Sequence, residues 1–440
     1  MKLQTVIGLE FHAQLKTKTK MFCGCLNNPD AEQPNTNICP ICLGHPGVLP
    51  VLNQEAVRLA LIAANALNFK IAEFSKFDRK NYFYPDLPKG YQISQYDKPL
   101  ALDGSFVINY AHRDGLAGRL DDESQLKKIR LVRLHMEEDA AKSTHGEDAT
   151  LIDFNRGGSP LIEIVTAPDF STPQEAKTFG QELQILLQQL NVSDANMEKG
   201  ELRCDANISL RPEGDLNFYP KTEIKNINSF RSLERALAYE IERQTLLWKD
   251  GKHQETQETR GWDDSRQETV LQRTKESEND YRYFPEPDLP PLTFTKAHID
   301  LIKSALPELP QAKRQRFMSQ YEFNGEQTKI LTETKALANY TEQVVSELRE
   351  WLISIESEGT EEEIWSRRKA QLTKLIGNWL INRLLPILAD KNVAFEKNKI
   401  TPENFGEFIV LIFENKMNSA TAQLVLKEMA ETGADPEHIL

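Results

Sequence analysis

The stretch Glu201-Leu-Arg-Cys-Asp-Ala-Asn-Ile-Ser-Leu-Arg211 decides the fold of the first part of the chain, because polar and apolar residues alternate along all of it. Successive side chains of a β-strand point to opposite faces, so the apolar set is predicted to cover a core. The opposite face carries both charge signs and an amide, contributed by Glu201, Arg203, Asp205, Asn207, Ser209 and Arg211. We interpret this face as a binding or catalytic surface; a solvated sheet face is the alternative.

The first residues of the chain predict a second strand of the same kind. Leu9, Phe11, Ala13 and Leu15 share one face, and Glu10, His12 and Gln14 share the other. A carboxylate and an imidazole two residues apart can converge on one cation or one proton. A half-exposed strand gives the same pattern, and this segment alone favours that ordinary interpretation.

The segment Lys127–Lys142 predicts a third strand, which ends in the adjacent carboxylates Glu137, Glu138 and Asp139. Alternation places Val132, Leu134 and Met136 on one side and Arg133, His135 and Glu137 on the other. Adjacent carboxylates repel each other unless cations or hydrogen-bond donors compensate. A cation site and a solvated strand end are both compatible with this pattern.

Glu163 lies in the otherwise apolar strand Leu161–Thr166, where an uncompensated carboxylate is costly to bury. It therefore needs a metal, a proton or a charged partner, and a structural ion pair is the competing account. The preceding loop contains Asn155, Arg156 and two glycines, whose backbone can approach a ligand closely.

Four of the five cysteines form two close pairs, Cys23 with Cys25 and Cys39 with Cys42. Two pairs joined by a short loop are typical of tetrahedral zinc coordination, although the single residue between Cys23 and Cys25 is a shorter spacing than usual. Four free thiols are the alternative. Because sulfur would fill every position, the predicted zinc is structural, and the odd, clustered cysteines indicate a reducing compartment.

Aromatic and basic residues interleave between Lys80 and Gln95. Tyr82 and Tyr91 can stack on bases or on a terminal ribose, while Lys80 and Lys89 can contact phosphates. A packed loop with tyrosines at the edge of the core is the alternative.

The order of elements predicts an α+β fold with a mostly antiparallel sheet. Helices are predicted over Asn53–Leu67, from Ser171 to Leu190 and from Ser229 to Trp248, with strands between them rather than a regular βαβ alternation. From about Thr295 onward the pattern is helical. We place the boundary after the proline-rich stretch that ends at Leu292, so the sheet domain covers 1–292, with the cysteine cluster at 23–42, and an all-helical domain covers 293–440.

Composition excludes several classes of protein. The net charge of -13 argues against a nonspecific coat for nucleic acid, and no run approaches the ~18 apolar residues of a membrane-spanning helix. No signal peptide is predicted, and we expect a cytoplasmic location. The chain has no glycine-rich phosphate loop, no nucleophile elbow and no amidase-like serine segment, so carboxylate-held magnesium would have to assist any activation of a nucleotide.

The chain contains several long motifs in series, namely VIGLEFH, the CGC and CPIC cysteines, FDRKNYFYPDLPKGYQISQ, RLHMEEDAAKSTH, DFNRGGSPLIEIV, GELRCDANISLR, KTEIKNINSFR and DYRYFPEPDLPPL. Together these motifs resemble the family of aspartyl/glutamyl-tRNA amidotransferase B subunits. They follow one another from residue 6 to residue 292, and weaker helical similarity continues to the end.

The resemblance implies a cradle domain that carries the reaction site, followed by a helical domain and a tail that contacts tRNA. Because the sequence stops at Leu440, we expect most or all of that tail to be absent, which affects tRNA anchoring through it. The implied partners are the family's amidase (A) subunit, which releases ammonia from glutamine, its small (C) subunit, and misacylated tRNA(Asn) or tRNA(Gln). With ATP and Mg²⁺, the site would convert aspartyl- or glutamyl-tRNA to the amide.

The resemblance also assigns roles to residues. The implied magnesium cluster contains Glu10, His12, Glu163 and one of Glu137 and Glu138, and the catalytic set adds Arg203 and Asp205. The residues expected to bind the nucleotide are Asn155, Arg156, Asn207, Ser209 and Lys225. Lys80, Tyr82, Lys89 and Tyr91 are expected to contact tRNA.

Two other functions are compatible with the same residues. A stand-alone ligase that joins ammonia to a small free carboxylic acid would use the same metal and ATP cluster and would turn over without tRNA. A zinc-clipped RNA-binding scaffold would leave the polar faces around Glu10 and Arg203 without a magnesium or nucleotide site.

Overall fold

The computed structural model describes residues 2–109, 126–146, 148–275, 280–356 and 358–440. These residues form two compact units, and the first unit extends to Pro307. The strands of the first unit are β1 (Leu3–Gln14), β2 (Lys70–Ile71), β3 (Phe74–Ser75), β4 (Asp78–Asn81), β5 (Tyr91–Ser94), β6 (Ala101–Asn109), β7 (Leu126–Glu138), β8 (Lys142–His145), β9 (Thr150–Asp153), β10 (Pro160–Thr166), β11 (Leu202–Pro212), β12 (Thr222–Ile227), β13 (Gln257–Asp263), β14 (Glu268–Lys275), β15 (Phe284–Pro285) and β16 (Leu292–Thr293).

The main sheet has the strand order β14-β13-β12-β11-β1-β10-β7-β6-β2. Neighbouring strands are antiparallel except for the parallel pair β12 and β13, which agrees with the α+β expectation. β11 lies in the middle of this sheet and pairs with β1 from Leu3 opposite Pro212 to Ala13 opposite Leu202. The alternating stretch that predicted a strand therefore holds the centre of the fold.

Helices cover the apolar face of the sheet. The helices of the first unit are α1 (Gln54–Ala66), α2 (Pro173–Gln189), α3 (Phe230–Lys249) and α4 (Lys296–Ser304). The first three coincide with the predicted helices, and Asn53, Thr172 and Ser229 cap their N-termini with side-chain oxygens. Phe179 of α2 packs against Phe11, Phe106 and Phe170, with ring centroids 5.2–5.8 Å apart. Burial of each phenylalanine contributes roughly 1.5–3 kcal/mol.

One predicted face assignment in β7 is wrong. Val132 was expected on the buried side with Leu134 and Met136, yet its side chain is 45% exposed, whereas Leu131 is buried. The pairing with β10 shifts register between Val165 and Thr166, and this shift leaves Val132 without a partner. A β-bulge of this kind moves the following residues to opposite faces, so the alternation is broken at Val132.

The polar face of the main sheet is bordered by a smaller sheet of β15, β4 and β5. β5 packs on the end of β7, where Ser94 Oγ lies 3.1 Å from a carboxylate oxygen of Glu137 and the Ile93 N–H donates to Glu138 at 2.9 Å. From Asp280 onward the chain returns to this sheet through β15. The polar face is thus enclosed on one side.

The second unit is helical over its described residues from Glu308 onward. Its helices are α5 (Pro310–Tyr321), α6 (Gly325–Leu331), α7 (Lys335–Ile355), α8 (Glu361–Trp379), α9 (Leu385–Asp390), α10 (Pro402–Phe413), α11 (Ser419–Thr432) and α12 (Pro436–Ile439), with a π-helical turn at Leu380–Leu384. The predicted apolar stripe of α8 lies in the core, where Leu372, Ile376 and Leu380 are fully buried.

The predicted boundary at Leu292 and the observed division into units do not coincide. α4 follows the predicted boundary, yet it packs against α1 of the first unit, which continues to Pro307. Within the described ranges, no helix is both long enough and apolar enough to cross a membrane.

Candidate active site and metal centre

Four neighbouring strands place four charged or ionisable side chains side by side on the polar face. The register sets His135 of β7 opposite Glu163 of β10, Glu163 opposite His12 of β1, and His12 opposite Arg203 of β11. We call these four residues the cross-strand row. Glu163 Oε2 lies 3.3 Å from His12 Nε2 and 3.2 Å from His135 Nε2, so the buried carboxylate bridges two imidazoles.

Glu137 completes this group from the end of β7. Its two carboxylate oxygens lie 3.7 Å from His12 Nε2 and 3.7 Å from His135 Nε2. Ligand atoms of His12, Glu137 and Glu163 all lie within 4.8 Å of one another, as a bound cation requires. Carboxylate oxygens suit magnesium, whereas imidazole is a more usual ligand of transition metals.

Protons on the histidines balance the negative charge of the carboxylates in this group. Burial lowers the pKa of His135, but the adjacent Glu163 and Glu137 outweigh it and raise the pKa to about 9. Burial likewise raises the pKa of Glu163, but the two imidazoles hold it well below the usual value. A divalent cation bound to these carboxylates would replace the imidazole protons, so its binding would release protons.

The two neighbouring acids Glu137 and Glu138 lie on opposite faces of β7. Glu138 accepts the Ile93 N–H and pairs with Lys89, in a second cavity that Arg79 and Tyr91 also line. Lys89 is thereby occupied, and Tyr91 lies under the guanidinium of Arg79 at 4.4 Å. Of the two acids that could belong to a metal site, Glu137 is the one that lies with His12 and Glu163.

Arg203 is held by an acid that was not among the predicted site residues. Its guanidinium lies 2.8 Å from Asp139, which also accepts a hydrogen bond from Gln14 at 3.2 Å. Burial raises the pKa of Asp139, but Arg203 and Arg156 reverse that effect and lower it. Asp139 was visible in the sequence as the third acid of its triplet, yet only the fold shows that it faces Arg203.

The remaining predicted polar residues of β11 and β12 lie beside the row. Lys225 Nζ lies 2.6 Å from Asp205 and 3.2 Å from Glu223. Asn207 donates to Glu10 at 2.9 Å. Glu10 lies beside the group formed by His12, Glu137 and Glu163 and is not one of its members. Ser209 is buried further along β11, opposite Val6.

A cleft opens over these residues, and its lining includes His12, Glu137, Arg203, Asp205, Lys225 and Lys80. Tyr82 lies at its edge, and Lys80 Nζ lies 5.9 Å from the Tyr82 ring and 5.0 Å from the Tyr281 ring.

Tyr283 stacks on Tyr96 with ring centroids 4.2 Å apart. Burial is the main cause that raises the pKa of the Tyr283 hydroxyl, and the negative charges of Glu137 and Glu163 raise it further. The ring therefore lies near these two carboxylates. Sequence reasoning missed Tyr281 and Tyr283; their alternation with arginine before the proline-rich stretch was the available signal.

The four cysteines converge as predicted. One sulfur from each of Cys23, Cys25, Cys39 and Cys42 lies within 4.8 Å of the others. Zinc–sulfur bonds of about 2.3 Å in a tetrahedron separate the sulfurs by roughly 3.8 Å, so this arrangement fits a structural zinc. A hydrogen bond from Cys23 lowers the pKa of the Cys42 thiol to about 5, and the Cys39 N–H and Lys20 act in the same direction.

Asn155 and Arg156, which were expected to bind a cofactor, contact other parts of the protein. Asn155 is fully buried, and its side chain bonds to the loop between the cysteine pairs: it accepts from the Thr36 and Asn37 N–H groups and donates to the Gln33 carbonyl, each at 2.8 Å. Arg156 donates to the carbonyls of Ala140 and Ala141 at 3.0 and 2.8 Å. These contacts favour anchoring roles over contact with a nucleotide.

Comparison with known families agrees with this architecture. Residues 5–300 match the GatB/GatE catalytic domain, and residues 362–440 match the GatB domain. The chain belongs to the GatB family. The family resemblance inferred from the motifs is confirmed, and with it the expectation of an amidotransferase component.

Curated members of the GatB family align with almost all of this chain. The B subunit of the aspartyl/glutamyl-tRNA(Asn/Gln) amidotransferase of Carboxydothermus hydrogenoformans is 44% identical over 442 residues, which cover 99% of this chain and 84% of the relative. The B subunit of the Thermomicrobium roseum enzyme is 43% identical over 443 residues, with coverage of 99% and 84%. That of Thermotoga petrophila is 44% identical over 446 residues, with coverage of 100% and 85%.

Proposed function

We propose that this chain is the transamidation component of a glutamine-dependent tRNA amidotransferase. It uses ATP and magnesium to activate the side-chain carboxylate of aspartate or glutamate attached to tRNA(Asn) or tRNA(Gln), and it converts that carboxylate to the amide with ammonia. The amidase (A) subunit supplies the ammonia from glutamine, and the small (C) subunit completes a cytoplasmic heterotrimer. The observation that carries this proposal is the convergence of His12, Glu137 and Glu163 at a cleft whose lining includes His12, Glu137 and the cations Lys80, Arg203 and Lys225.

Glu137 and Glu163 would hold the magnesium, with His12 beside them. These residues fit a magnesium ion because both carboxylates are buried and their close partners are imidazoles. An imidazole can lose its proton when a metal binds, so the carboxylates can exchange these partners for the metal. When bound, magnesium neutralises the charge that accumulates between ATP phosphates and a substrate carboxylate.

The cations of the cleft bind and orient the anionic substrates. Asp205 and Glu223 fix the ammonium of Lys225, and Asp139 fixes the guanidinium of Arg203, so both groups are positioned before substrate enters. Phosphoryl transfer depends mainly on such positioning and on electrostatic stabilisation. A substrate carboxylate oxygen attacks the γ-phosphorus and ADP leaves. Ammonia then attacks the acyl carbon, the bond to the phosphate oxygen breaks, and the proton that nitrogen loses leaves with the phosphate as HPO4²⁻.

The edge of the cleft suits the end of a tRNA. Tyr82 offers a ring for stacking on the terminal adenosine, and Lys80 provides a nearby charge for its phosphate. Lys89 has no such contact in this proposal, because it lies with Glu138 in the second cavity and does not line the cleft.

The test is reconstitution with the amidase and small subunits, followed by amidation assays on aspartyl-tRNA(Asn) and glutamyl-tRNA(Gln). Product should require ATP, and either glutamine or added ammonia should supply nitrogen. Amidation of free aspartate or glutamate without tRNA would instead identify a stand-alone ligase. Binding of tRNA with no ATP-dependent product in the full complex would identify a scaffold.

A further inference from the structure

Lys20 is a lysine with no exposed surface, which is rare because a charged ammonium is costly to remove from water. Its position is fixed by the backbone on both sides. The Lys20 N–H donates to the Cys25 carbonyl at 3.0 Å, and the Met21 N–H donates to the Gly158 carbonyl at 2.8 Å. These bonds hold the backbone at Lys20 against the cysteine loop and the turn at Gly158.

The ammonium of Lys20 contacts the cysteine cluster. Nζ donates to the Phe154 carbonyl at 3.0 Å and lies 3.9 Å from Cys42 Sγ, the outer range of an N–H···S contact. In the part of the chain that the structure describes, no carboxylate oxygen lies within 4.0 Å of it. Glu138, which lines the same cavity, is already paired with Lys89.

The cysteines can supply the negative charge that would balance the Lys20 ammonium. Four thiolates around one Zn²⁺ carry a net charge of about −2, and this charge is only partly compensated by backbone N–H groups. The Cys39 N–H donates to Cys42 Sγ at 3.1 Å, so Lys20 and this amide approach the same sulfur. A buried cation beside a half-buried anionic centre satisfies both groups.

We propose that Lys20 is the counter-ion of the zinc–thiolate centre and that its charge determines how tightly the centre retains its metal. The inference rests on the zinc assignment made for the cysteine cluster. It goes beyond that assignment, because four cysteines by themselves do not say which neighbouring group stabilises the thiolates. Lys20 is a positioning residue in this account and does not ligate the metal.

A structural tether is the alternative role. In that account Lys20 matters only because it holds the Phe154 carbonyl and thus the loop that carries Asn155. Lys20→Gln keeps a hydrogen-bond donor for this carbonyl without the charge, whereas Lys20→Met removes both. Lys16→Met is the matched control, because Lys16 is half exposed and pairs with Asp194 at 2.5 Å, away from the cysteines.

The experiment measures release of zinc from the chain of 440 residues to a chromogenic chelator, together with the sulfur-to-metal charge-transfer band of the cobalt-substituted protein. Loss of a group that supports a metal ligand typically weakens metal binding about 10- to 100-fold, so both Lys20 variants should release zinc faster by that factor. The cobalt band should move to lower energy, since the thiolates lose a neighbouring cation. Lys16→Met should match the unmodified protein in both measurements.

Unchanged release and an unchanged band in Lys20→Met and Lys20→Gln would overturn the proposal. So would a defect in Lys20→Met that Lys20→Gln repairs, because that result identifies the tether. If neither variant folds, Lys20→Arg decides: slow release supports the role of charge, and fast release excludes it. A folded, unmodified chain without zinc would refute the zinc assignment as well, whereas zinc with unaffected variants refutes only the role of Lys20.

Discussion

Asn155 joins the loop of the cysteine cluster to the loop before β10, and its replacement should loosen the metal centre. Its side chain makes three hydrogen bonds of 2.8 Å to the segment Gln33–Asn37. Asn155→Leu keeps the approximate size of the side chain but can neither donate nor accept. The substitution therefore leaves two backbone N–H groups and one carbonyl without their partner.

The magnitude follows from the exposure of those partners. A buried group that loses its partner costs about 1–3 kcal/mol, but Gln33 and Thr36 lie at the surface, where water can replace part of the loss. At about 1 kcal/mol for each bond, Asn155→Leu should cost about 3 kcal/mol, which increases local opening of this loop on the order of a hundredfold.

Hydrogen exchange of the peptide that contains residues 33–37, measured with and without a chelator, tests this prediction. Asn155→Asp is the matched control, because a carboxylate keeps both acceptor contacts and loses only the donor to Gln33. The expected order of exchange rates is Asn155→Leu, then Asn155→Asp, then the unmodified chain. Exchange in Asn155→Leu within threefold of the unmodified rate would contradict the anchoring role.

Three further predictions concern metal and catalysis. Glu163→Gln in the reconstituted complex should lower the rate of ammonia-dependent amidation about a hundredfold or more, as expected if the lost ligand stabilises the transition state by about 3 kcal/mol. Glu10→Gln should have a smaller effect. Equal rates in both variants and the unmodified complex at limiting magnesium would show that these carboxylates are structural. The isolated chain should not hydrolyse glutamine, whereas the complex with its amidase partner should; glutaminase activity of the pure chain would contradict the division of labour. Metal analysis should find about one zinc per chain, and titration of four free thiols in the folded, metal-free protein would refute it.

The sheet was predictable wherever one local pattern governs one strand. The period-two alternation of Glu201–Arg211 corresponds to a central strand, and the polar residues of β1 lie on one face as expected. The cysteine spacing likewise predicted a cluster, because each close pair needs only local chain geometry. These features depend on residues that are near one another in sequence.

The features that the sequence did not reveal come from contacts between distant segments. The bulge at Val132 depends on how β7 pairs with β10, and nothing in the sequence of β7 marks it. The contacts of Asn155, which is expected to bind the nucleotide, likewise involve a distant segment, the loop between the cysteine pairs. Tyr283 reaches the acidic group only because the chain returns to the small sheet after α3, β13 and β14.

The cross-strand row also constrains how the sheet can assemble. A slip of β1 by one residue against β10 would place Phe11 opposite Glu163 and turn His12 toward the helices. Such a mispaired sheet would bury an ionisable ring beside Phe179 and leave the Glu163 carboxylate with one imidazole, that of His135, instead of two. The residues that we assign to chemistry thus penalise incorrect strand registers, so a variant that neutralises the row should be tested for misfolded and aggregated material before its activity is interpreted.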